Sequence, residues 1–262
     1  EHYSNGLMNG EYITYHPSGK PNITGNFADG KVEGKVSWHN IFGIPTKTLV
    51  YKNDTLEGEA RTFYDSAQPK EVYSLHNDEI TGKHVTYYAS GKEGITTWYK
   101  SGSPHGEYIE YYSNGRLSVK GNYNEGKETG EWSYYYPNGR LKRIQSYSSG
   151  GVTGLVRTFY YNGMPETEEN YNSSGKQEGL TLYFDHKGRK FLEEEYRDGL
   201  LVKITTDFGN PGKPAVFGSP AGTFSYKVYT AEGRLRSEGS YEKGKLAGEI
   251  KFYYHNGNLR QK

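Results

Sequence analysis

Three stretches of the chain have the spacing of a phosphate-binding loop, in which two glycines five residues apart precede a lysine. They are Gly25–Lys31, Gly121–Lys127 and Gly239–Lys245. A working loop of this kind needs serine or threonine next, to hold Mg²⁺, and a helix whose amides surround the phosphate. The residues that follow are Val32, Glu128 and Leu246, and no helix signal follows them. We therefore interpret the stretches as strands that lead into turns.

Histidines and carboxylates are the other residues that could do chemistry. The histidines are His2, His16, His39, His76, His84, His105, His186 and His255. None forms an H-x-H or H-E-x-x-H pattern, whereas a metal site needs ligands that converge. The acidic runs 168–169 and 193–195 could supply two carboxylates for acid–base catalysis. Neighbouring residues on a strand point to opposite faces, so a solvated face is expected for these runs. Since cysteine and a G-x-S-x-G motif are also absent, the sequence predicts no catalytic residue, no metal site and no cofactor.

The composition favours a thin, turn-rich β architecture over a globular enzyme with a thick core. The 262 residues include 27 tyrosines and 35 glycines, and strongly hydrophobic residues make up 33%. The net charge of +1 gives no bulk reason to expect a nucleic-acid or anionic-membrane partner. No apolar run approaches the ~18 residues of a spanning helix, so no transmembrane segment is expected. The chain begins with Glu1 rather than Met, from which we expect a processed product.

Glycines recur with a fixed spacing along the chain. The glycine that opens each unit is Gly10, Gly34, Gly58, Gly82, Gly106, Gly130, Gly154, Gly179 or Gly248, with steps of 24 residues up to Gly154. A second glycine follows nine residues later, as Gly115 follows Gly106, and Ala67 replaces it once. About ten such units fill nearly the whole chain, which identifies a repeat protein.

Each unit is predicted to form a β-hairpin. The pairs Asn114-Gly115 and Asn138-Gly139 indicate a type I′ turn, in which both residues take a positive φ. Tyrosine, threonine, valine and isoleucine before the turn favour a strand, and a second strand such as Leu117–Tyr123 follows it. A looser turn, as at 124–127, leads to the next unit. The predicted fold class is therefore all-β: an elongated ribbon of about ten consecutive antiparallel hairpins of 24 residues.

The period fails once, between Leu200 and Gly222. Prolines and glycines crowd there: Gly209, Pro211, Gly212, Pro214, Gly218, Pro220 and Gly222. A strand cannot continue through such a density of breakers, so an irregular excursion is predicted at 200–222. It is either a degenerate repeat with a surface loop or a binding loop. The repeats resume at Thr223, and the chain is therefore predicted to be a single repeat domain over 1–262.

The two faces of the predicted sheet differ in how much they vary between units. Position five, counted from the opening glycine, is nearly always aromatic, which predicts a packed ladder between hairpins. Positions two, four and six lie on the opposite face and vary from unit to unit. In the middle units that face is rich in tyrosine and tryptophan, which contribute much of the energy of protein interfaces. The predicted partner-binding residues are Tyr88, Tyr108, Tyr112, Trp132, Tyr134, Tyr136 and Tyr160.

The unit Tyr111–Leu117, with Tyr123, Gly126 and Gly130-Glu131 after it, resembles the MORN repeat. More closely, it resembles the variant MORN repeat of bacterial YwqK-type antitoxin-component proteins. The resemblance covers about 90% of the chain by repeat pattern and is weaker at Trp38–Pro45 and at 200–222. It implies a meander of MORN-like hairpins with an interaction role, and it implies no catalytic residues.

Two functions follow as expectations. The first is a non-enzymatic protein-binding module, a bacterial antitoxin or immunity-type protein that binds and neutralises a toxin or effector. The second is a scaffold of the cell envelope or a carbohydrate-binding repeat protein that uses tyrosine faces for stacking. The sequence leaves the partner's identity, the compartment (periplasm, envelope or cytoplasm) and the oligomeric state open.

Overall fold

The structure is a computed structural model that describes residues 2–206, 214–229 and 234–262. Within these ranges the regular elements are β-strands joined by turns, and no helix occurs. The predicted all-β fold of consecutive antiparallel hairpins is confirmed. The chain divides into two compact units, Glu1–Glu128 and Thr129–Lys262. The prediction of a single repeat domain over 1–262 stays a prediction.

In the first unit each main strand pairs antiparallel with the next one along the chain. Its strands are β1 (Tyr3–Ser4), β2 (Leu7–Met8), β3 (Gly10–Tyr15), β4 (Pro21–Ala28), β5 (Lys31–Val32), β6 (Gly34–His39), β7 (Pro45–Lys52), β8 (Thr55–Leu56), β9 (Gly58–Phe63), β10 (Pro69–His76), β11 (Glu79–Tyr87), β12 (Glu93–Lys100), β13 (Ser103–Tyr111) and β14 (Leu117–Asn124). The short strands β5 and β8 pair with the same neighbours as β6 and β9, which follow them. β1 and β2 form a ladder of their own.

The second unit follows the same plan. Its strands are β15 (Lys127–Tyr135), β16 (Leu141–Ser148), β17 (Gly151–Phe159), β18 (Pro165–Tyr171), β19 (Gly179–Phe184), β20 (Lys190–Arg197), β21 (Leu200–Thr206), β22 (Ala215–Gly218), β23 (Phe224–Tyr229), β24 (Leu235–Glu242), β25 (Lys245–Tyr253) and β26 (Leu259–Gln261). The first two residues of β15 precede the boundary between the units. Strands β23 to β26 form a separate four-stranded sheet.

The two-residue turns were predicted at the Asn-Gly pairs, but the structure has them at the other end of each unit. At the Asn-Gly turns only the glycine has a positive φ, +87° at Gly115, so the turn is not type I′. The Gly115 amide donates to the Tyr112 carbonyl at 2.8 Å, and the Asn114 side chain accepts from the Arg116 amide at 2.9 Å. This arrangement is that of a three-residue loop with glycine in the left-handed region. The turns predicted to be loose have two consecutive positive φ values, as at Ser149 and Gly150, and these are the two-residue hairpins.

The opening glycines are required by the backbone. Gly154, for example, has a φ of +69°, and a Cβ there would meet nothing within 4 Å. The requirement is therefore conformational rather than steric, since side chains disfavour this region. Opposite this glycine, on the preceding strand β16, the register shifts between Ile144 and Ser146. Each hairpin thus has a bulge at a fixed position, which explains the period of the glycines.

Part of the predicted excursion is regular and buried. Residues 200–206 form β21, in which Leu201 and Thr206 are 1% exposed and Ile204 is 2% exposed. The prediction of an irregular segment that begins at 200 is therefore wrong for residues 200–206, because the prolines come after β21 in the sequence. Pro214 precedes β22 and Pro220 lies in a turn after it, positions that need no ladder hydrogen bond. Residues Gly209, Pro211 and Gly212 lie outside the described residues.

The most buried position of the repeat is position two. Five of its residues are at most 7% exposed, namely Val36, Ala60, Trp132, Val156 and Thr181, and the others are half-buried. Position five, predicted to be the core ladder, is half-buried, and its first member, Tyr15, is 61% exposed. The core therefore lies on the face that carries position two. Its largest clusters centre on Leu49 and Ala60 in the first unit and on Leu201 and Ile204 in the second.

Candidate functional site

Two of the predicted binding residues, Trp132 and Tyr108, lie at position two, and they differ in how deeply they are buried. Trp132 is 4% exposed, and its ring packs edge-on against Tyr147 at a centroid distance of 5.9 Å. It therefore offers almost no surface to a partner. Tyr108 is half-buried, packs edge-on against Tyr123 at 5.7 Å and donates its hydroxyl to Glu110 at 3.1 Å. Burial, with Glu110 beside it, raises the pKa of Tyr108.

The position-six tyrosines form bonds between consecutive hairpins. The hydroxyls of Tyr88, Tyr136 and Tyr160 donate to the backbone carbonyls of Tyr111, Phe159 and Phe184, at 2.6, 2.8 and 2.7 Å. Tyr64 makes the same bond to the Tyr87 carbonyl at 2.7 Å. In these four hairpins the bond connects the turn to the strand one repeat later, so position six forms a structural ladder of half-buried rings.

The two remaining predicted residues lie at positions four and six. Tyr134 is half-buried and lies next to Trp132, with ring centroids 6.5 Å apart. Its hydroxyl accepts a long hydrogen bond from the Gln145 side chain at 3.4 Å. Tyr112 is half-buried, and its amide donates to the Arg116 carbonyl at 2.8 Å. The structure thus brings together Trp132 and Tyr134.

The part played by position six can be measured with a matched pair of substitutions. Tyr136→Phe removes the bond to Phe159 and is expected to lower the free energy of unfolding by about 0.5–1.5 kcal/mol. Tyr161→Phe changes the neighbouring ring, which packs edge-on against Tyr136 but is 59% exposed, and should change stability far less. Urea denaturation followed by circular dichroism gives both values. Equal values would show that the hydroxyl bond contributes nothing.

A groove of 310 Å³ in the first unit includes one of the predicted residues, Tyr88. Tyr64, Tyr87, Tyr88 and Gly94 line it. The other residues that line it are Lys70, Glu71, Thr86, Ile95 and Glu110. Because the Tyr64 and Tyr88 hydroxyls are bonded to backbone carbonyls, these two rings are fixed in place.

Two carboxylates give this groove a negative character. Glu71 and Glu110 are half-buried, and each accepts a hydroxyl hydrogen bond, from Thr62 at 3.2 Å and from Tyr108 at 3.1 Å. Burial raises the pKa of the Tyr73 hydroxyl, and Glu71 raises it further. Sequence reasoning missed Tyr64, Gly94 and both glutamates. The sequence signal that could have indicated the groove was position twelve, where this hairpin has Gly94 and the other hairpins of the unit have a residue with a side chain.

The acidic run at 193–195 is not a uniform solvated face. Glu194 lies between two half-buried tyrosines and accepts from the hydroxyls of Tyr183 and Tyr196, both at 2.8 Å. Its neighbours on the other face form ion pairs instead, Glu193 with Lys190 at 2.7 Å and Glu195 with Arg197 at 3.1 Å. Each hydroxyl helps to satisfy the desolvated carboxylate, which makes Glu194 a structural group.

Other chemistry-bearing residues remain dispersed. In the described ranges no three histidine, aspartate or glutamate side chains are grouped closely enough to hold a metal ion. Gly239–Lys245, one of the phosphate-loop patterns, is the end of β24, a two-residue turn and the start of β25. Among the described residues no helix has the length and apolarity needed to cross a membrane.

Comparison with known families finds the MORN repeat variant at five places in the chain. The matched segments are 8–29, 104–125, 128–149, 152–173 and 246–262. They include six of the seven predicted binding residues, with Tyr88 outside them. A comparison with curated proteins gives no match.

Solved structures give only a distant likeness. A crystal structure of TcdB2-TccC3-TEV is 12% identical and aligns with a TM-score of 0.22. The alignment covers 98% of this chain and 17% of the chain in that structure. A structure of the Photorhabdus luminescens Tc holotoxin pore, with mutation TccC3-D651A, is 11% identical, with coverages of 95% and 18% and a TM-score of 0.17. The chain thus spans about a sixth of the length of those chains. TM-scores this low carry no argument about fold or function.

Proposed function

We propose that this chain, a MORN-like repeat protein, is a non-enzymatic module that binds another protein. The observation that carries the proposal is the groove of the first unit, whose tyrosine walls are held by hydrogen bonds from Tyr64 and Tyr88 to the next hairpin. Aromatic rings that are already fixed lose little conformational entropy when a partner covers them. The groove therefore has the properties of a preorganised interface.

The finer proposal is that the module acts as a bacterial antitoxin or immunity-type protein, whose partner is a toxin or effector. It is supported by the resemblance of the unit Tyr111–Leu117 to the repeats of YwqK-type antitoxin-component proteins. The support is an analogy between repeats, and function resides in specific sites rather than in a fold. Neutralisation therefore needs its own measurement: the captured partner should be toxic when expressed alone and harmless when expressed with this chain.

The binding proposal is tested by capture on the immobilised full chain from a lysate of the native cell, with mass spectrometry of the retained proteins. Binding of the purified partner is then measured by calorimetry to the wild type and to Gly94→Ala. A Cβ at Gly94 would lie 3.2 Å from Thr86 Oγ1 and 3.5 Å from the Tyr88 ring, and therefore narrows the groove. We expect at least about tenfold weaker binding, which corresponds to ~1.4 kcal/mol.

Gly151→Ala is the matched control. Gly151 does not have a positive φ and a Cβ there would meet only the Ser148 carbonyl oxygen, at 3.5 Å, so affinity should stay at the wild-type value. Circular dichroism and melting must show that both variants are folded. Equal affinity in the two variants would exclude the groove as the binding site. Failure to capture any specific protein would contradict the proposed function itself.

A carbohydrate ligand is the second candidate, because tyrosine faces beside two carboxylates can also hold a sugar ring and its hydroxyls. Glu71 and Glu110 would accept from the hydroxyls, and the Tyr88 ring would stack on the sugar. Affinity electrophoresis of the full chain in gels that contain bacterial cell-wall polysaccharides tests this function. Retardation that is lost in Gly94→Ala would favour the envelope-associated alternative over protein binding.

A further inference from the structure

The groove of the first unit exists because one side chain is missing. Position twelve carries Asn22, Thr46, Lys70 and Ser118 in the other hairpins of that unit, and glycine only at Gly94. Gly94 does not have a positive φ, so its backbone does not require glycine. Gly94 is the extra residue of the β-bulge between β11 and β12, a place where the other hairpins of the unit carry a side chain. Space above the strand, rather than backbone conformation, is therefore what this glycine provides.

The two carboxylates of the groove are not paired with a basic side chain. In the described part of the chain neither Glu71 nor Glu110 forms an ion pair, whereas nearby Glu93 and Glu107 pair with Lys83 and Lys120. Both unpaired carboxylates are half-buried. Lys70, the one basic residue among those that line the groove, is exposed at its rim. Two negative charges with one hydroxyl donor each leave acceptor capacity for a cation.

The geometry of the sheet fixes the distance between the two carboxylates. The residues Glu71, Thr86, Ile95 and Glu110 are successive partners across the four strands from β10 to β13. Three strand spacings separate the two glutamates, which is roughly 14 Å. An extended peptide advances about 3.4 Å per residue, so two of its residues four positions apart span the same distance.

We infer that the groove binds an extended basic segment of a partner protein, in which two arginines or lysines four positions apart reach Glu71 and Glu110. The inference rests on the proposed function and specifies its partner. The faces of the Tyr64 and Tyr88 rings attract a cation, and their hydroxyls are already bonded. Arginine suits the site best because its planar group both stacks on a ring and binds a carboxylate with two parallel hydrogen bonds.

The test uses a defined peptide and the full chain. Gly-Ser-Arg-Gly-Ser-Gly-Arg-Ser is titrated into ¹⁵N-labelled protein, and amide signals are followed by NMR. The same peptide with citrulline in place of both arginines keeps the shape and removes the charge. We expect the arginine peptide to shift the Gly94 and Ile95 amides and to bind at least about tenfold more tightly than the citrulline peptide.

Two variants locate the effect. The double substitution Glu71→Gln and Glu110→Gln keeps the side-chain shape and should weaken the arginine peptide at least about tenfold. Glu107→Gln is the matched control, since Glu107 lies on the same strand as Glu110 but pairs with Lys120 at 3.0 Å, and it should bind as the wild type does. Melting curves confirm that each variant is folded.

The inference is overturned if the two peptides bind equally, if the Gly94 and Ile95 signals do not move, or if the double variant binds the arginine peptide as tightly as the wild type. Its failure can be told from failure of the proposed function. A captured protein partner that binds the double variant undiminished contradicts only the basic segment. Arginine-peptide binding at the groove without any captured protein contradicts only the proposed function.

Discussion

Replacing Trp132 with alanine is expected to lower the free energy of unfolding by about 3–5 kcal/mol. The indole is 4% exposed, packs edge-on against Tyr147 and lies opposite Gln145, which is 3% exposed. Its removal takes away buried aromatic surface and leaves a cavity between strands that cannot close completely. Urea denaturation followed by circular dichroism measures the change directly.

Trp98→Ala is the control for this prediction. Trp98 is also an indole on a strand of the repeat, but it is 43% exposed, so its removal should cost less than half as much. Equal losses for the two tryptophans would contradict the assignment of position two to the core. Loss of partner binding in Trp132→Ala would then have to be judged against its folding, because a binding defect that follows unfolding says nothing about an interface.

The repeat and its hairpins could be predicted because the signals are local. Each hairpin pairs with the next one along the chain, as β11 does with β12 and β12 with β13, so no distant pairing has to be inferred. Positive φ values at the opening and turn positions favour glycine in nearly every unit, which makes the period visible. Ala67 shows how firmly the turn is fixed, since it takes a φ of +64° in place of glycine.

The turn types could not be predicted from the Asn-Gly pairs alone. Asn114 stays at negative φ because its side chain accepts the Arg116 amide and thereby holds a three-residue loop. At the other turn Ser149, Lys243 and Asp198 accept a positive φ before glycine, although serine and lysine are not the usual residues there. Strand pairing on both sides, rather than residue preference, decides the conformation.

The assignment of faces failed because strict alternation is broken inside every hairpin. A register shift lies between positions four and five, as between Glu110 and Tyr111, where Ser118 is the extra residue of the partner strand. A bulge of this kind changes which side chains share a face. The groove could not be predicted for a different reason: Glu71 and Glu110 lie 39 residues apart in the sequence, and only the pairing of four strands places them on one face.

Alkaline pH is expected to destabilise the second unit through half-buried tyrosines whose hydroxyls lie beside glutamates. Burial, followed by the carboxylate of Glu169, raises the pKa of Tyr171 to about 12. Burial and Glu194 raise the pKa of Tyr183 and Tyr196 further above the ordinary value of 10. In the unfolded chain these hydroxyls ionise near pH 10, while the folded protein keeps them protonated. Their contribution to stability is therefore complete below pH 10 and is lost as the pH rises through the folded-state pKa values.

The free energy of unfolding measured with urea should accordingly stay level up to about pH 9.5 and fall between pH 10 and pH 12, with a slope of at most about 1.4 kcal/mol per pH unit for each such tyrosine. Absorbance of tyrosinate near 295 nm should show that some tyrosines ionise only as the protein unfolds.

The double variant Tyr183→Phe and Tyr196→Phe is compared with Tyr15→Phe, whose ring is 61% exposed. The double variant leaves Glu194 without its two hydroxyl donors, so its stability is lower already at pH 8. The slope is therefore the quantity to compare. The fall in the free energy of unfolding with pH should be less steep in the double variant and as steep as in the wild type in Tyr15→Phe. An unchanged slope in the double variant would show that the tyrosines around Glu194 do not set the alkaline limit.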